Sequence, residues 1–470
     1  MRPKVEFGFC SGMSLSFVHE GVRSENNPLD AVDPRIEKIK NAGVVGAGGA
    51  GFSFPCEVSE QGGILIGNGA ECEPLLSVDK ETMTLFAPEV VKGMKIVIEL
   101  SGAKKGFIGV KKKNYKAVEA LEKAAAGAGN IEVSLLENVY PAGDEQALVY
   151  DILGRTVPEG GIPLHVGVIV NNVGTLVNIS RALEGTPVTH RMLTVAGDVR
   201  EPATLNLPIG TSFREAIMLA GGSNSRNFKI LVGGPMMGCV ESDLDKPVLK
   251  TTSGIVILDV DHPFMARKSQ SVSARIRIGK SACDQCMYCT DLCPRYLLGH
   301  YCYPHLIMRA VPYGLSYTNI VTTAFMCCEC GLCTYFSCPL RLSPGELMAQ
   351  VKREMIRKGV KNPHARTDVK PPEFRAGRLI PVERLMERLE LAPYYTDAPF
   401  RENGYKPQKV TIPLKQHLGA PSIPVVKAGD KVKAGQLIGE IPEGKLGARI
   451  HASVSGFVRE AGDSVVIEAG

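Results

Sequence analysis

The chain has 470 residues, 44% of them hydrophobic, which is enough for several domains with packed cores. Its net charge of +5 is small and it contains no Trp, so the clustered basic residues and aromatic platforms of a nucleic-acid-binding protein are not indicated. No apolar run is long enough to predict a membrane span, and the amino terminus has no signal-peptide pattern.

The first predicted element is a short helix that follows a polar leader. Residues 1–32 have poor periodicity and are interpreted as an N-terminal extension, either disordered or a docking or targeting peptide. Asp33-Pro34 then predicts a helix to about Lys40, because Asp suits the N-cap and Pro the first helical position. Five glycines follow within residues 43–51, where backbone N–H groups can approach an anion closely. A phosphate cradle and a tight turn are both consistent with this run.

Three polar turns follow further along the chain. Apolar strands are predicted at residues 63–67 and 166–170, and they end in Asn68-Gly69-Ala70-Glu71 and Asn171-Asn172. A third turn, Tyr140–Gln146, opens a helix. Polar residues just beyond the carboxyl ends of strands are where α/β sheets bind ligands.

The motifs GAGGAGF, NGAECEP, YPAGDEQ and NNVGTL resemble a known flavin domain. It occurs in the NADH-binding subunit of respiratory complex I, in the C subunit of the Rnf complex and in the cobalamin reductases of propanediol-utilisation microcompartments. The resemblance implies that these loops hold FMN. It places Gly46, Gly48 and Gly49 against the phosphate or ribityl chain, and Asn68, Glu71, Gly143, Asp144, Glu145, Asn171, Asn172 and Thr175 around the flavin pocket.

The sequence departs from the family pattern at one cationic position. Glu57 stands about where the family has a Lys after the glycine loop, and a carboxylate cannot replace an ammonium beside a phosphate. The phosphate is then held by backbone alone or by a cation from elsewhere. Two interpretations stay open nearby: Glu71 and Glu73 belong either to the flavin pocket or to a solvated loop, and Lys111-Lys112-Lys113 is either a solvated face or a docking patch.

Residues 190–241 predict a strand–strand–helix–strand unit. Ser212 or Thr211 would cap its helix and Gly221 would end it. The order resembles the β-grasp, or soluble-ligand-binding, module of the same relatives, which has been linked to cobalamin. A spacer or docking role is the alternative, and no residue here is diagnostic of a corrin ligand.

Two cysteine runs lie in residues 283–338. Each has three Cys at C-x2-C-x2-C, and the fourth Cys of each run is followed by Pro. This spacing is typical of bacterial two-cluster ferredoxins, in which the fourth Cys binds the other cluster. Cluster I is therefore assigned to Cys283, Cys286, Cys289 and Cys338, and cluster II to Cys327, Cys330, Cys333 and Cys293.

The cysteine runs match neither a zinc site nor a disulfide framework. Zinc sites pair two C-x2-C knuckles, and the remaining cysteines show no paired pattern. Cys328 lacks the three-residue step to Cys330 and is interpreted as a packing residue. His300, Cys302 and His305 are interpreted as structural, because eight cysteines already complete two cubanes.

Short strands are predicted through the last sixty residues. The pattern VKAGDKVKAGQLIGE…IHASVSGFV resembles a barrel-sandwich hybrid of the biotinyl/lipoyl type. Lys445 lies near the hairpin position that carries the prosthetic group there, but it lacks flanking Met residues and is interpreted as a surface lysine.

The predicted fold class is multidomain α/β and α+β. It comprises a Rossmann-like α/β flavin domain, a β-grasp domain, a two-[4Fe-4S] ferredoxin-type domain and an all-β barrel-sandwich hybrid. The predicted boundaries are an extension at 1–32, the FMN domain at 33–189, the β-grasp domain at 190–241, a connecting segment at 242–273, the ferredoxin domain at 274–350, a linker at 351–408 and the barrel at 409–470.

These features predict an oxidoreductase without a catalytic nucleophile or base. The resemblance implies an NADH-dependent cobalamin reductase in which FMN and two [4Fe-4S] clusters carry electrons to cob(III)alamin or cob(II)alamin, giving cob(I)alamin for a diol dehydratase. The implied partners are cobalamin or a cobalamin adenosyltransferase and microcompartment proteins, and the implied location is the cytoplasm, within a bacterial microcompartment. The alternatives are an Rnf-type electron-transport subunit and an electron relay to another microcompartment enzyme, such as a glycyl-radical activase.

Overall fold

The computed structural model describes residues 33–49, 51–52, 63–315 and 318–470. The predicted extension at 1–32 and Glu57 lie outside these residues. Within them, no helix is long and apolar enough to cross a membrane.

The amino-terminal region is a four-stranded parallel sheet with helices packed on it. Its strand order is β3-β2-β1-β5, and all three strand pairs are parallel. The Asp33 side chain caps the first helix, as predicted, by accepting a hydrogen bond from the Arg35 backbone N–H. The elements are α1 Pro34–Asn41, β1 Ile64–Gly69, α2 Val78–Leu85, α3 Ala87–Ser101, β2 Lys105–Lys111, α4 Tyr115–Ala125, β3 Ile131–Leu136, β4 Val139–Tyr140, α5 Glu145–Leu153, β5 Val168–Asn172 and α6 Val173–Leu183.

A five-stranded mixed sheet follows, with order β7-β6-β10-β8-β9. Ser212 forms a capping box with Glu215 at the start of its helix. Residues 254–259, which fall in the predicted connecting segment, form the central strand of this sheet, parallel to β6 and antiparallel to β8. The elements are β6 His190–Gly197, β7 Ala203–Pro208, α7 Phe213–Leu219, β8 Phe228–Val232, β9 Cys239–Glu241 and β10 Gly254–Asp259.

The cysteine-rich region is built from short helices. A π-helix, Cys333–Ser337, lies between two of the cysteines of the second run. The helices are α8 Pro263–Lys268, α9 Val272–Ala282, α10 Tyr288–Asp291, α11 Pro304–Ala310, α12 Thr318–Val321 and α13 Pro344–Arg357.

Part of the predicted linker is ordered and buried. Strand β11, Ile380–Pro381, pairs antiparallel with β4 of the flavin domain, and helix α14, Val382–Arg388, follows it. Leu385 and Met386 are buried in the same apolar cluster as Tyr140 and Cys330. This segment therefore joins the flavin domain to the cysteine-rich region.

The carboxy-terminal residues form two small antiparallel sheets, as the barrel-sandwich pattern predicts. Their orders are β12-β18-β17-β14 and β13-β15-β16. One buried apolar cluster continues from the amino-terminal sheet into this barrel, so the two regions share a core. The strands are β12 Lys409–Pro413, β13 Ile423–Pro424, β14 Lys431–Val432, β15 Leu437–Glu440, β16 Ile450–His451, β17 Gly456–Ala461 and β18 Ser464–Ala469.

Candidate functional site

The carboxyl ends of β1 and β5 meet at one edge of the parallel sheet. Asn68 and Asn172 are register neighbours on these strands. The Asn68 Nδ2 donates to the Gly143 carbonyl at 3.1 Å, and the Asn172 Nδ2 donates to both carboxylate oxygens of Asp79 at 3.1 and 3.2 Å. The segments predicted from three separate motifs are thus in contact at this edge.

The glycine loop is held against the start of α6. The Ala47 N–H donates to the Thr175 hydroxyl at 2.9 Å, and the Ala47 carbonyl accepts from Arg191 Nη2 at 2.8 Å. A Cβ added to Gly48 would lie 3.4 Å from the Asn172 Cβ. Gly49 has a φ of +104°, which an L side chain rarely adopts. The loop needs glycine at position 49 for its backbone conformation, whereas a Cβ at position 48 would make an ordinary van der Waals contact with Asn172.

Glu71 and Glu73 are engaged with backbone N–H groups, so the interpretation of them as a solvated loop is wrong. Glu71 accepts from the N–H groups of Asp79, at 2.5 Å, and Lys80, at 2.9 Å, near the start of α2. Glu73 accepts from those of Met236 and Met237 at 2.8 and 2.6 Å. Burial raises the pKa of Glu73 to about 7, and burial together with the Asp79 carboxylate raises the pKa of Glu71.

Replacing Glu73 with Ala is expected to destabilise the contact between the flavin domain and the β8–β9 turn by about 3 kcal/mol. The reason is that two backbone N–H groups would lose their acceptor, and each unsatisfied buried group costs about 1–3 kcal/mol. The measurement is the midpoint of thermal unfolding under anaerobic conditions. Glu73→Gln is the matched control, since it keeps one acceptor oxygen and should cost less. Equal midpoints for Glu73→Ala and the native chain would contradict the expectation.

Two polar side chains, Glu145 and Gln146, begin α5 after the turn that follows β4. Glu145 has an exposed surface, yet protein surrounds its carboxyl group closely enough that burial raises its pKa to about 7. The Gln146 Oε1 is buried without a hydrogen-bond partner. An unpaired buried acceptor in the first turn of α5 fits a ligand that carries hydrogen-bond donors, as a flavin ring does.

Other residues predicted to bind flavin stabilise this edge of the sheet through burial or hydrogen bonds. Asn171 and Thr175 are 2% and 1% exposed. Asp144 caps α5 by accepting from the Ala147 N–H at 3.1 Å, and its second oxygen pairs with Arg295. Gly46 donates its N–H to the Phe52 carbonyl at 2.8 Å, which closes the loop. These residues support the edge, whereas Gly48 and Glu145 are exposed and Gly49, Asn68 and Asn172 are partly exposed.

Lys111 is buried, contrary to the interpretation of residues 111–113 as a solvated face. It is 2% exposed, and its ammonium donates to the Glu71 carbonyl at 3.2 Å. Burial lowers the pKa of Lys111. Only Lys112 and Lys113 of the run are exposed.

The cysteines assigned to cluster I surround one cavity. Its lining includes Cys283, Cys286, Cys289 and Cys338, and Cys338 comes from the second run. The Gln285 Nε2 donates to the Cys283 Sγ at 3.2 Å. Cys286 is exposed, and Met287 and Leu340 beside it are 41% and 44% exposed. This cavity therefore opens at the protein surface.

The cysteines assigned to cluster II surround a second cavity, which is enclosed more deeply. Its lining includes Cys327, Cys330, Cys333 and Cys293, together with Cys302 and Cys328. Cys330 and Cys333 are each 8% exposed and Cys293 is 7% exposed. Lys352 donates to the Cys327 carbonyl at 2.9 Å, so a buried cation lies beside this cavity.

The chemistry of both cavities fits a cubane better than a single ion. Each is lined by four of the assigned cysteines, three from one run and one from the other. Within the described ranges, no three His, Cys, Asp or Glu side chains are arranged around one metal ion. Four thiolates around an open volume are the ligand set of a [4Fe-4S] cluster.

The edge of the parallel sheet that carries the predicted flavin residues, called the flavin edge below, contacts the second cavity through two largely buried interactions. The Tyr140 hydroxyl donates to the Cys330 carbonyl at 2.6 Å. The Arg295 guanidinium, two residues after Cys293, pairs with the Asp144 carboxylate at 2.8 Å, with both side chains about one-tenth exposed. The loop predicted to bind flavin and the loops predicted to bind cluster II thus form one continuous structure.

Sequence reasoning missed the long-range contacts of three charged residues in this structure, which are Asp79, Lys111 and Arg191. None belongs to a motif of fixed spacing, and each bonds to a residue at least 40 positions away. Tyr140 opens a predicted turn, but no local pattern indicates its bond to Cys330. The buried His300, interpreted as structural, donates from Nε2 to the Val157 carbonyl at 2.9 Å. That contact joins the ferredoxin-type region to the flavin domain.

Four family models match the chain in the predicted order, which confirms the fold class. They are the Nuo51 FMN-binding domain at residues 39–181, the SLBB domain at 192–240, the 4Fe-4S dicluster domain at 282–343 and the RnfC barrel sandwich hybrid domain at 396–470. The SLBB domain is the soluble-ligand-binding module inferred from the strand–strand–helix–strand order.

Curated relatives match along nearly the whole chain. Cobalamin reductase PduS of Citrobacter freundii is 42% identical over 444 residues, covering 93% of this chain and 96% of the relative. Cobalamin reductase PduS of Salmonella typhimurium is 40% identical over 439 residues with the same coverage. The C subunit of the Na(+)-translocating ferredoxin:NAD(+) oxidoreductase complex of Acetobacterium woodii is 37% identical over 296 residues, covering 58% of this chain and 64% of that subunit. Because the two PduS proteins match over 93% of its length, the chain belongs to the PduS cobalamin reductase family.

Proposed function

We propose that this protein is an NADH-dependent cobalamin reductase. FMN, when bound at the glycine loop, would accept hydride from NADH, and two [4Fe-4S] clusters would pass single electrons to cob(III)alamin or cob(II)alamin. The observation that carries the proposal is the direct contact of the flavin edge with the second cysteine cavity through Tyr140–Cys330 and Asp144–Arg295. The names of the relatives that match 93% of the chain support the choice of acceptor.

The two cysteine sets have different positions relative to the flavin edge and to solvent. The set of Cys293, Cys327, Cys330 and Cys333 contacts the flavin edge and is mostly buried. The set of Cys283, Cys286, Cys289 and Cys338 has an exposed member, Cys286. We therefore assign the entry of electrons to the buried set and their exit to the exposed set.

The partners of this activity follow from the same family resemblance. We propose that the acceptor is cobalamin, free or held by a cobalamin adenosyltransferase, and that the protein acts with microcompartment proteins inside a bacterial microcompartment. The support is the match to PduS proteins along most of both chains, whereas only 64% of the Rnf-type subunit is covered.

The test is anaerobic reconstitution with iron, sulfide and FMN, followed by absorption spectra. NADH should bleach the flavin and cluster absorbance, and added cobalamin should be trapped as the alkylated cob(I)alamin product. Failure to trap cob(I)alamin with both clusters intact and reducible by NADH would refute the cobalamin acceptor. Failure of FMN to bind, with the clusters intact, would refute the NADH step and favour an electron relay.

Replacing Arg191 with Met is expected to weaken FMN binding on the order of tenfold, or about 1.4 kcal/mol. Arg191 is 8% exposed and donates to the Ala47 and Thr252 carbonyls, each at 2.8 Å, so it fixes the glycine loop and places a buried positive charge beneath it. The measurement is a titration of flavin fluorescence against the apoprotein.

Two further variants separate the role of charge from the role of loop position. Arg191→Lys keeps the charge but lacks the planar guanidinium whose two nitrogens bond the Ala47 and Thr252 carbonyls, so it should bind FMN with intermediate affinity. Lys112→Met removes an exposed cation that pairs with Glu137 and should bind FMN as the native chain does. Native affinity in Arg191→Met would exclude this residue from the site.

A further inference from the structure

Cys302 is a buried thiol inside the second cysteine cavity that belongs to neither cysteine run. It is 0% exposed, and its Sγ lies 3.7 Å from the Sγ of Cys293. Both side chains line the cavity that also contains Cys327, Cys330 and Cys333. The contact is within hydrogen-bonding distance for sulfur.

The position of Cys302 is fixed by the chain around it. Its N–H donates to the His300 carbonyl at 2.8 Å, and His300 is anchored on the Val157 carbonyl at 2.9 Å. Pro304 begins α11 two residues later. The thiol packs among apolar side chains, including Ile307 and Phe325, so water does not compete for the contact with Cys293.

The chemistry of the pair sets the direction of the hydrogen bond. A sulfur bound to iron carries no proton, and the four cysteines of the two runs already supply the ligands of one cubane. In the pair Cys293–Cys302 only Cys302 then retains an S–H group to donate. Hydrogen bonds to cluster sulfurs raise the reduction potential, because they stabilise the more negative reduced state.

We infer that Cys302 is a positioning residue that donates an S–H···S hydrogen bond to the ligand Cys293 and raises the reduction potential of cluster II. The inference rests on the proposed presence of the two clusters, not on NADH or cobalamin as substrates. The cluster II site is the one that we assign to electron entry, so a raised potential there would favour electron transfer from the flavin. Among the described residues, no additional thiol lines the cavity of cluster I, where the Cys338 Sγ instead accepts from the Leu342 backbone N–H at 3.4 Å.

The test is an anaerobic dithionite titration of the full chain, with the clusters followed by electron paramagnetic resonance. The signal of cluster II is identified as the one that is absent from Cys330→Ala. Cys302→Ala and Cys302→Val both remove the S–H donor, the first with a smaller side chain than Cys and the second with a larger one. Both should shift the midpoint potential of cluster II to a more negative value. Cys302→Ser keeps a donor and should titrate close to the native chain, and cluster I should be unchanged in all three variants.

Several outcomes would overturn the inference. One is that the midpoint potential of cluster II is unchanged in the alanine and valine variants. Another is that the serine variant shows the same shift as these two variants, and a third is that the potentials of both clusters shift together. Loss of cluster II in all three variants would identify Cys302 as a ligand or an essential packing residue instead. Loss in the two variants without a donor but retention in the serine variant would support the hydrogen bond. Because dithionite replaces NADH and no cobalamin is present, these results are independent of whether the proposed reductase activity is found.

Discussion

Replacing Cys293 with Ala is expected to abolish cluster II and leave cluster I in place, so that the iron content falls by about half from about eight atoms per chain. Cys293 lies in the first cysteine run, but its side chain lines the cavity of Cys327, Cys330 and Cys333. The measurement is iron content together with the resonance spectrum of the remaining reduced cluster. The double variant Cys293→Ala/Cys302→Ala prevents the neighbouring thiol from acting as a replacement ligand.

The assignment of one cysteine of each run to the other run's cluster also predicts which Cys→Ala variants should have the same spectrum. Cys293→Ala and Cys330→Ala should leave the same residual signal, and Cys286→Ala and Cys338→Ala should leave the other one. If Cys293→Ala instead resembles Cys286→Ala, each run binds its own cluster and the assignment from the two cavities is wrong.

Replacing Arg295 with Met is expected to destabilise the protein by about 3–5 kcal/mol and to slow the reduction of the clusters by NADH. The destabilisation follows because the largely buried Asp144 carboxyl group would lose its cationic partner. Burial alone would lower the pKa of Arg295, but the paired Asp144 carboxylate outweighs it and raises that pKa, so the guanidinium is charged at all accessible pH values. Loss of a cation near the cluster also lowers its potential.

Rapid mixing with NADH separates the two consequences of this substitution. Flavin bleaching should stay close to the native rate, whereas cluster bleaching should slow on the order of tenfold, equal to about 1.4 kcal/mol of activation free energy. Arg341→Met is the matched control, because Arg341 follows the other Cys-Pro step but pairs with Glu390 at the surface, at 3.3 Å with both side chains about half exposed. If Arg295→Met and Arg341→Met change the rate of cluster bleaching equally, the Asp144–Arg295 pair has no specific role in reduction of the clusters.

The features that depend on local spacing could be predicted from the sequence. The three-residue steps between cysteines, the Asp33 cap and the strand–turn pattern around Asn68 and Asn172 all follow from short-range geometry, and the structure has the elements at these places. The resemblance of the loop motifs to a known flavin domain predicts FMN as a cofactor, which the spacing of residues alone does not identify.

The features that the sequence did not reveal depend on contacts between distant residues. Lys111 is read as a surface residue because two lysines follow it, but its side chain points inward at the end of β2. The segment around Ile380 has the proline and charge content of a linker, yet it pairs with a strand about 240 residues earlier. Neither the Asp144–Arg295 pair nor the Cys293–Cys302 contact has a local pattern, because each results from packing.

The pairing of Ile380–Pro381 with Val139–Tyr140 has a consequence for how the protein is made. The flavin turn begins at Tyr140, and its supporting strand leaves the ribosome only after both cysteine runs have been synthesised. Tyr140 is also bonded to Cys330, so a nascent chain that stops before residue 330 lacks two of the partners of this turn. The flavin turn is therefore expected to become complete only after both cysteine runs and residues 380–381 have been synthesised.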